Sequence, residues 1–146
     1  MATRIELGFL NGYAPSWAER IVEGSALVMG HPVAAVDLEM DLPRYYSADR
    51  GQYNATLILA GLLRHHSDPD SKIVGITRVD LFIPVLTFVF GQAQLDGPGA
   101  LVSTHRLRSE YYGLPRDRER LVERTIKEVV HEVGHSFGLV HCPDYN

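Results

Sequence analysis

The chain has 146 residues, 45% of them hydrophobic and 22% charged, with one cysteine and a formal net charge of -4. This is the composition of one soluble globular domain, and a single cysteine excludes an intrachain disulfide framework. The acidic balance disfavours nonspecific nucleic-acid binding, which depends on Lys and Arg neutralising phosphates, and the longest apolar run, Leu81 to Phe90, is interrupted by Pro84 and Thr87 and falls short of the roughly 20 residues of a membrane helix.

The N-terminus shows no basic stretch followed by an apolar run, since charge returns at Glu6 and Gly12 and Pro15 follow; with no secretory signal of that kind, a cytoplasmic protein is expected. Arg4 to Leu10 alternates polar and apolar residues and ends in Asn11-Gly12, a strand and a turn. A helix opening at Pro15-Ser16-Trp17 carries Trp17, Ile21, Leu27 and Val28 and closes at Gly30. Val33 to Leu38 is a second strand. The next helix is expected to begin near Ser47 to Asp49 and to run to about His66.

Three strand-like runs follow, Lys72 to Phe82, Leu86 to Leu95 and Ala100 to Leu107, the last two joined by Gly97-Pro98-Gly99 as a hairpin. A final helix after Pro115 carries an apolar stripe at Val122, Ile126, Val129, Val133 and Phe137. The expected class is α/β (α+β): a mixed, twisted sheet of about five strands with an antiparallel edge, in the order β-α-β-α-β-β-β-α. No repeat or linker divides the chain, so residues 1–146 read as one domain.

Three of the 7 histidines fall in the last sixteen positions. His131-Glu132-Val133-Gly134-His135 fits H-E-x-x-H, and Gly138 and His141 extend it to H-E-x-x-H-x-x-G-x-x-H. Histidines at i and i+4 share one helix face, here away from the apolar stripe, so both rings can reach one ion at about 2 Å. A third ligand cannot come from the same helix. The chain must stop and turn back, and Gly138 suits a left-handed stop that returns His141 to the ion. Three imidazoles leave a fourth position for water, the pattern of a catalytic zinc, whose acidified water Glu132 would serve as general base.

At this point the sequence resembles the archaemetzincins, a branch of the metzincin metallopeptidases. The resemblance extends through Val74 to Phe82, Phe88 to Ala93, Ala100 to Arg108 and Tyr111-Tyr112-Gly113. It implies a metzincin-like catalytic domain that hydrolyses peptide or protein substrates, with His131, His135 and His141 as zinc ligands and Glu132 as base. It also implies an edge strand to which an extended peptide pairs, for which Phe88 to Gln94 is the candidate and Phe90, Gly91 and Gln92 the contact residues. Family members follow the third histidine with cysteines that hold a second, structural zinc. Cys142 occupies the first of those positions and is equally read as a small apolar packing residue; with Asn146 as the last spacer, the resemblance implies a chain lacking its C-terminal subdomain.

Two other functions fit the histidine spacing. An endoribonuclease of the rRNA-maturation type can share it but lacks the glutamate, so Glu132 discriminates. A zinc-binding module without activity is the third reading. Arg116, Arg118, Arg120, Arg124 and Lys127 are interleaved with Glu119, Glu123 and Glu128 and read as a solvated helix face. Asp80 reads as a strand-end turn residue.

Overall fold

The computed structural model describes residues 3–64, 66 and 68–139. Its main sheet contains β1 (Arg4–Leu10), β2 (Val33–Leu38), β5 (Ser71–Thr77), β8 (Gly91–Ala93) and β9 (Gly99–Ser103) in the spatial order β2-β1-β5-β9-β8. The first four are parallel and β8 runs antiparallel along the β9 edge. Alternate residues of the central strands bury opposite faces. Ile5, Leu7, Val74, Ile76, Ala100 and Val102 join a core with α1 (Ala18–Met29) and α3 (Arg118–Ser136), whereas Leu10, Ile73 and Leu101 join one with α2 (Ala55–Leu63). A sheet covered on both sides accounts for strands that read as nearly continuous apolar runs.

A second, four-stranded sheet is built from β3 (Tyr46–Ser47), β4 (Gln52–Asn54), β6 (Leu81–Ile83) and β7 (Leu86–Val89). It divides two of the three long runs expected from sequence. The run from Lys72 breaks at Arg78 to Asp80 because Asp80 accepts two hydrogen bonds from Arg106, at 2.8 and 2.9 Å, and one from Gln52. Leu81 therefore starts a new strand beside β4. The run from Leu86 is likewise shared between β7 in one sheet and β8 in the other. As a result β5 and β9, expected in an antiparallel part of the sheet, are parallel neighbours.

The helix expected from Ser47 begins instead at Ala55. Gly51 at φ +65° closes a turn between β3 and β4, and the Asn54 side chain caps the helix by accepting from the Leu57 N–H. In α1 the buried face runs through Trp17, Ile21 and Ser25, while Leu27 and Val28 are exposed. In α3 the stripe is buried at Val122, Val129 and Val133, whereas Phe137 lies past the helix end and stacks on His31. Among the described residues no helix is long and apolar enough to cross a membrane.

Candidate active site

Helix α3 packs its stripe against β9 and α1 and turns His131 and His135 toward β8. The two half-buried rings meet edge to face, with their Nε2 atoms 3.2 Å apart. His135 Nδ1 lies 2.7 Å from the Leu139 carbonyl. A carbonyl only accepts, so Nδ1 carries the proton and Nε2 turns its lone pair toward His131. Two nitrogens that share one tetrahedral zinc at 2.0–2.1 Å stand about 3.3 Å apart. The separation in the structure therefore suits a shared ion.

The Leu139 carbonyl is brought there by the end of the helix. Gly138, at φ +91°, donates to the His135 carbonyl, and Leu139 N–H donates to the Gly134 carbonyl at 3.0 Å. This is the paired bonding of a Schellman stop, with a glycine where the backbone is left-handed. The hairpin between β8 and β9 grips the same end: Asp96 N–H donates to the His135 carbonyl, and Lys72 Nζ bridges the carbonyls of Gly97 and Ser136.

Glu132, 6% exposed, has its carboxylate within 4.8 Å of the ligand nitrogens of both histidines. Burial raises its pKa, and the Glu128 carboxyl bonded beside it raises it further, to about 9. Two facing imidazoles with the Glu132 carboxyl beside them form a donor set that suits a divalent cation. By that chemistry the residues fit zinc.

Glu128, His131, Glu132 and His135 line an open cleft of about 490 Å³ whose other wall is Ile83, Leu86 and Phe88 to Ala93. Strand β8 is its edge. Phe90 O accepts from Ser103 N–H, and Gln94 N–H donates to Gly99 O. In an antiparallel ladder this alternation commits the main chain of Phe90 and Gln92 to β9 and leaves the N–H and C=O groups of Gly91 and Ala93 on the free edge. Phe90 packs edge to face on Phe88, and the Gln92 side chain accepts from Thr56.

Of the residues expected at the site, the structure gathers His131, His135, Glu132, Phe90, Gly91 and Gln92 around one cleft. His141 and Cys142 lie outside the described residues. Sequence reading placed Ala93 in the candidate strand Phe88 to Gln94 but named Phe90, Gly91 and Gln92 as its contacts; the exposed main chain of Ala93 follows only from the register of β8. It also placed Glu128 among solvated charges, although its spacing of four from Glu132 puts it on the same helix face. Asp80 takes no part in the cleft; it is half-buried in its bidentate pair with Arg106.

The model of peptidase family M54 matches residues 25–146. An archaemetzincin of Methanocaldococcus jannaschii is 46% identical over 105 residues, covering 71% of this chain and 56% of that protein. One of Pyrococcus furiosus is 38% identical over 139 residues, covering 94% and 69%. Among solved structures, a zinc-dependent peptidase from Methanocorpusculum labreanum superposes with a TM-score of 0.84 at 30% identity, covering 96% of this chain and 84% of that one. The archaemetzincin of Methanopyrus kandleri gives 0.79 at 37% identity, covering 98% and 77%. The chain spans little more than half the length of the M. jannaschii relative that it matches. An M54 match over most of the chain and a shared fold with archaemetzincins place this chain in peptidase family M54, among the archaemetzincins.

Proposed function

We propose that the chain is a zinc-dependent metallopeptidase in which His131, His135 and His141 hold the metal and Glu132 is the general base. The observation that carries this reading is the pair of Nε2 atoms 3.2 Å apart with the Glu132 carboxylate beside them, facing an open cleft along a strand edge. A bound zinc would polarise a peptide carbonyl and acidify water toward neutral pH. The remaining steps belong to the protein.

Gly91 and Ala93 offer main-chain donors and acceptors to an extended peptide, which would lie along β8 as an added strand. A peptide on that edge would pass its scissile carbonyl by His131 and His135, which line the same cleft. Glu132 takes a proton from the attacking water and passes it to the departing amine, a role worth about 10²–10⁴ in rate. Its burial limits contact with bulk water, and the charge of a bound cation would favour the carboxylate form needed at neutral pH. Membership of a peptidase family, and a glutamate that the ribonuclease pattern lacks, favour peptide bonds over RNA as the target.

The reading is tested by digesting a peptide library with the chain before and after chelation and zinc readdition. Cleavage that disappears with the metal and returns with zinc is expected. Cleavage indifferent to the metal, or none in a chain shown to contain zinc, would refute the proposal.

A further inference from the structure

A cleft of about 840 Å³ lies at the opposite end of α3 from the histidines. Roughly 15 Å of helix axis separates Leu121, which lines it, from His131. It opens where β1, β5 and β9 end. From β1 the chain moves out to β2 on one side and later returns to β5 on the other, so this crevice is the point at which the connections diverge. Open α/β sheets bind ligands at that point, beyond the carboxyl ends of the strands.

The side chains that converge there are cationic. Arg78 follows β5 and lies 5.7 Å from the Tyr13 ring centroid. Arg108 is aimed by its own Nε, which donates to the His105 carbonyl at 3.0 Å, and His105 Nδ1 meets the Arg78 carbonyl at 3.2 Å. Tyr13 hydroxyl and Thr104 Oγ1 are hydrogen-bonded at 3.0 Å. Burial raises the Tyr13 pKa, partly offset by the Thr104 bond and by the charges of Arg78 and Arg108, which places both guanidinium groups near the phenol.

Among the described residues neither Arg78 nor Arg108 has a carboxylate within 4 Å. Asp80, which also lines the crevice, is committed to Arg106, which leaves Glu110 as the acid facing Arg78, Arg108, Arg116 and Arg118. Turn geometry holds the wall in place: Asn11 and Gly12 take positive φ, and the Asn11 side chain is bonded twice to the Met40 backbone. Two planar guanidiniums beside two hydroxyls form a recognition set for a tetrahedral or planar oxyanion.

We propose that this crevice is a second binding site, for an oxyanion held between Arg78 and Arg108 with Tyr13 and Thr104 as hydroxyl partners. It shares no residue with the metal cleft. A phosphate ester and a carboxylate both present the required chemistry.

The test is titration of the zinc-loaded chain with inorganic phosphate, and separately with acetate, followed by amide NMR. Saturable shifts at Gly12, Arg78, Thr104 and Arg108 are expected. Loss of both guanidiniums in R78Q/R108Q should weaken binding at least about tenfold and leave peptide hydrolysis unchanged. The exposed Arg78→Gln single variant serves if the double variant does not fold. Saturation by phosphate alone assigns a phosphate ester and saturation by both assigns any oxyanion, and either upholds the site. Shifts confined to the helix around His131, or an affinity unaltered by R78Q, would overturn it.

Discussion

A Cβ added to Gly91 would stand 2.9 Å from Oε2 and 3.0 Å from Cγ of Glu132. The same atom would meet the Leu101 carbonyl oxygen at 2.5 Å, and that backbone belongs to the neighbouring strand β9. The edge strand and the candidate base are thus fitted to each other at a residue without a side chain. Gly91→Ala is expected to displace either the carboxyl or β8. Misplacement of a base by about 1 Å can cost about 100-fold in rate, so kcat should fall at least tenfold while zinc content, read by metal analysis, stays at the parent level. Parent-level turnover in this variant would show that the close approach does not position Glu132.

Gly138 controls the ring of His135 at one remove, through the carbonyl of Leu139. An alanine there must adopt a left-handed backbone at a cost of about 1–2 kcal/mol. Partners that orient a ligand imidazole are typically worth about 10–100-fold in metal affinity. Competition titration should find Gly138→Ala weaker for zinc than the parent and Gly138→Asn between the two, since Asn tolerates this conformation. Equal affinities for all three would remove the link.

Asp80 and Arg106 hold the bend that separates the two sheets. Burial alone would raise the Asp80 carboxyl, but hydrogen bonds from Arg106 and Gln52 outweigh it and leave the pKa below its ordinary 3.8. A depressed acid stabilises the fold at pH above its unfolded value, and that contribution is lost as pH falls through the folded one. Asp80→Asn should lose about 2–4 kcal/mol at pH 7, because Arg106 is left partly buried without its partner. Denaturant unfolding should find the gap between variant and parent constant above pH 5 and narrowing below 3.8. A gap that widens in acid would have the wrong sign.

Metal removal should loosen the end of α3. A ligand present at a thousandfold its Kd adds about 4 kcal/mol, which for a domain of this size is roughly 10 °C in Tm. Thermal unfolding should show that shift on zinc addition to the parent chain and none with His131→Ala. A shift retained in the variant would place the stabilising metal elsewhere.

Much of this arrangement could be read from residues. His131 and His135 lie one turn apart away from Val122, Val129 and Val133, so the helix period alone put them on a common face. Gly138 and its left-handed turn followed from the need to stop the helix. The second sheet could not be read in this way. Lys72 to Phe82 reads as one strand-like run despite Arg78 and Asp80, and what breaks it is Asp80 meeting Arg106 and Gln52, residues 26 and 28 positions away in the chain. The helix start failed for a local reason: Ser47 and Asn54 are both capable caps, and the positive φ of Gly51 decides between them. The free main chain of Ala93 depends on ladder register, which leaves no trace in composition.

The central claim, that Glu132 is the base of a zinc peptidase, is tested most directly by Glu132→Gln assayed for metal and for turnover together. The substitution keeps the shape of the side chain and removes its capacity to take a proton. Zinc content equal to the parent with peptide hydrolysis reduced by about 10²–10⁴ is the predicted result. Full zinc with undiminished hydrolysis would contradict it.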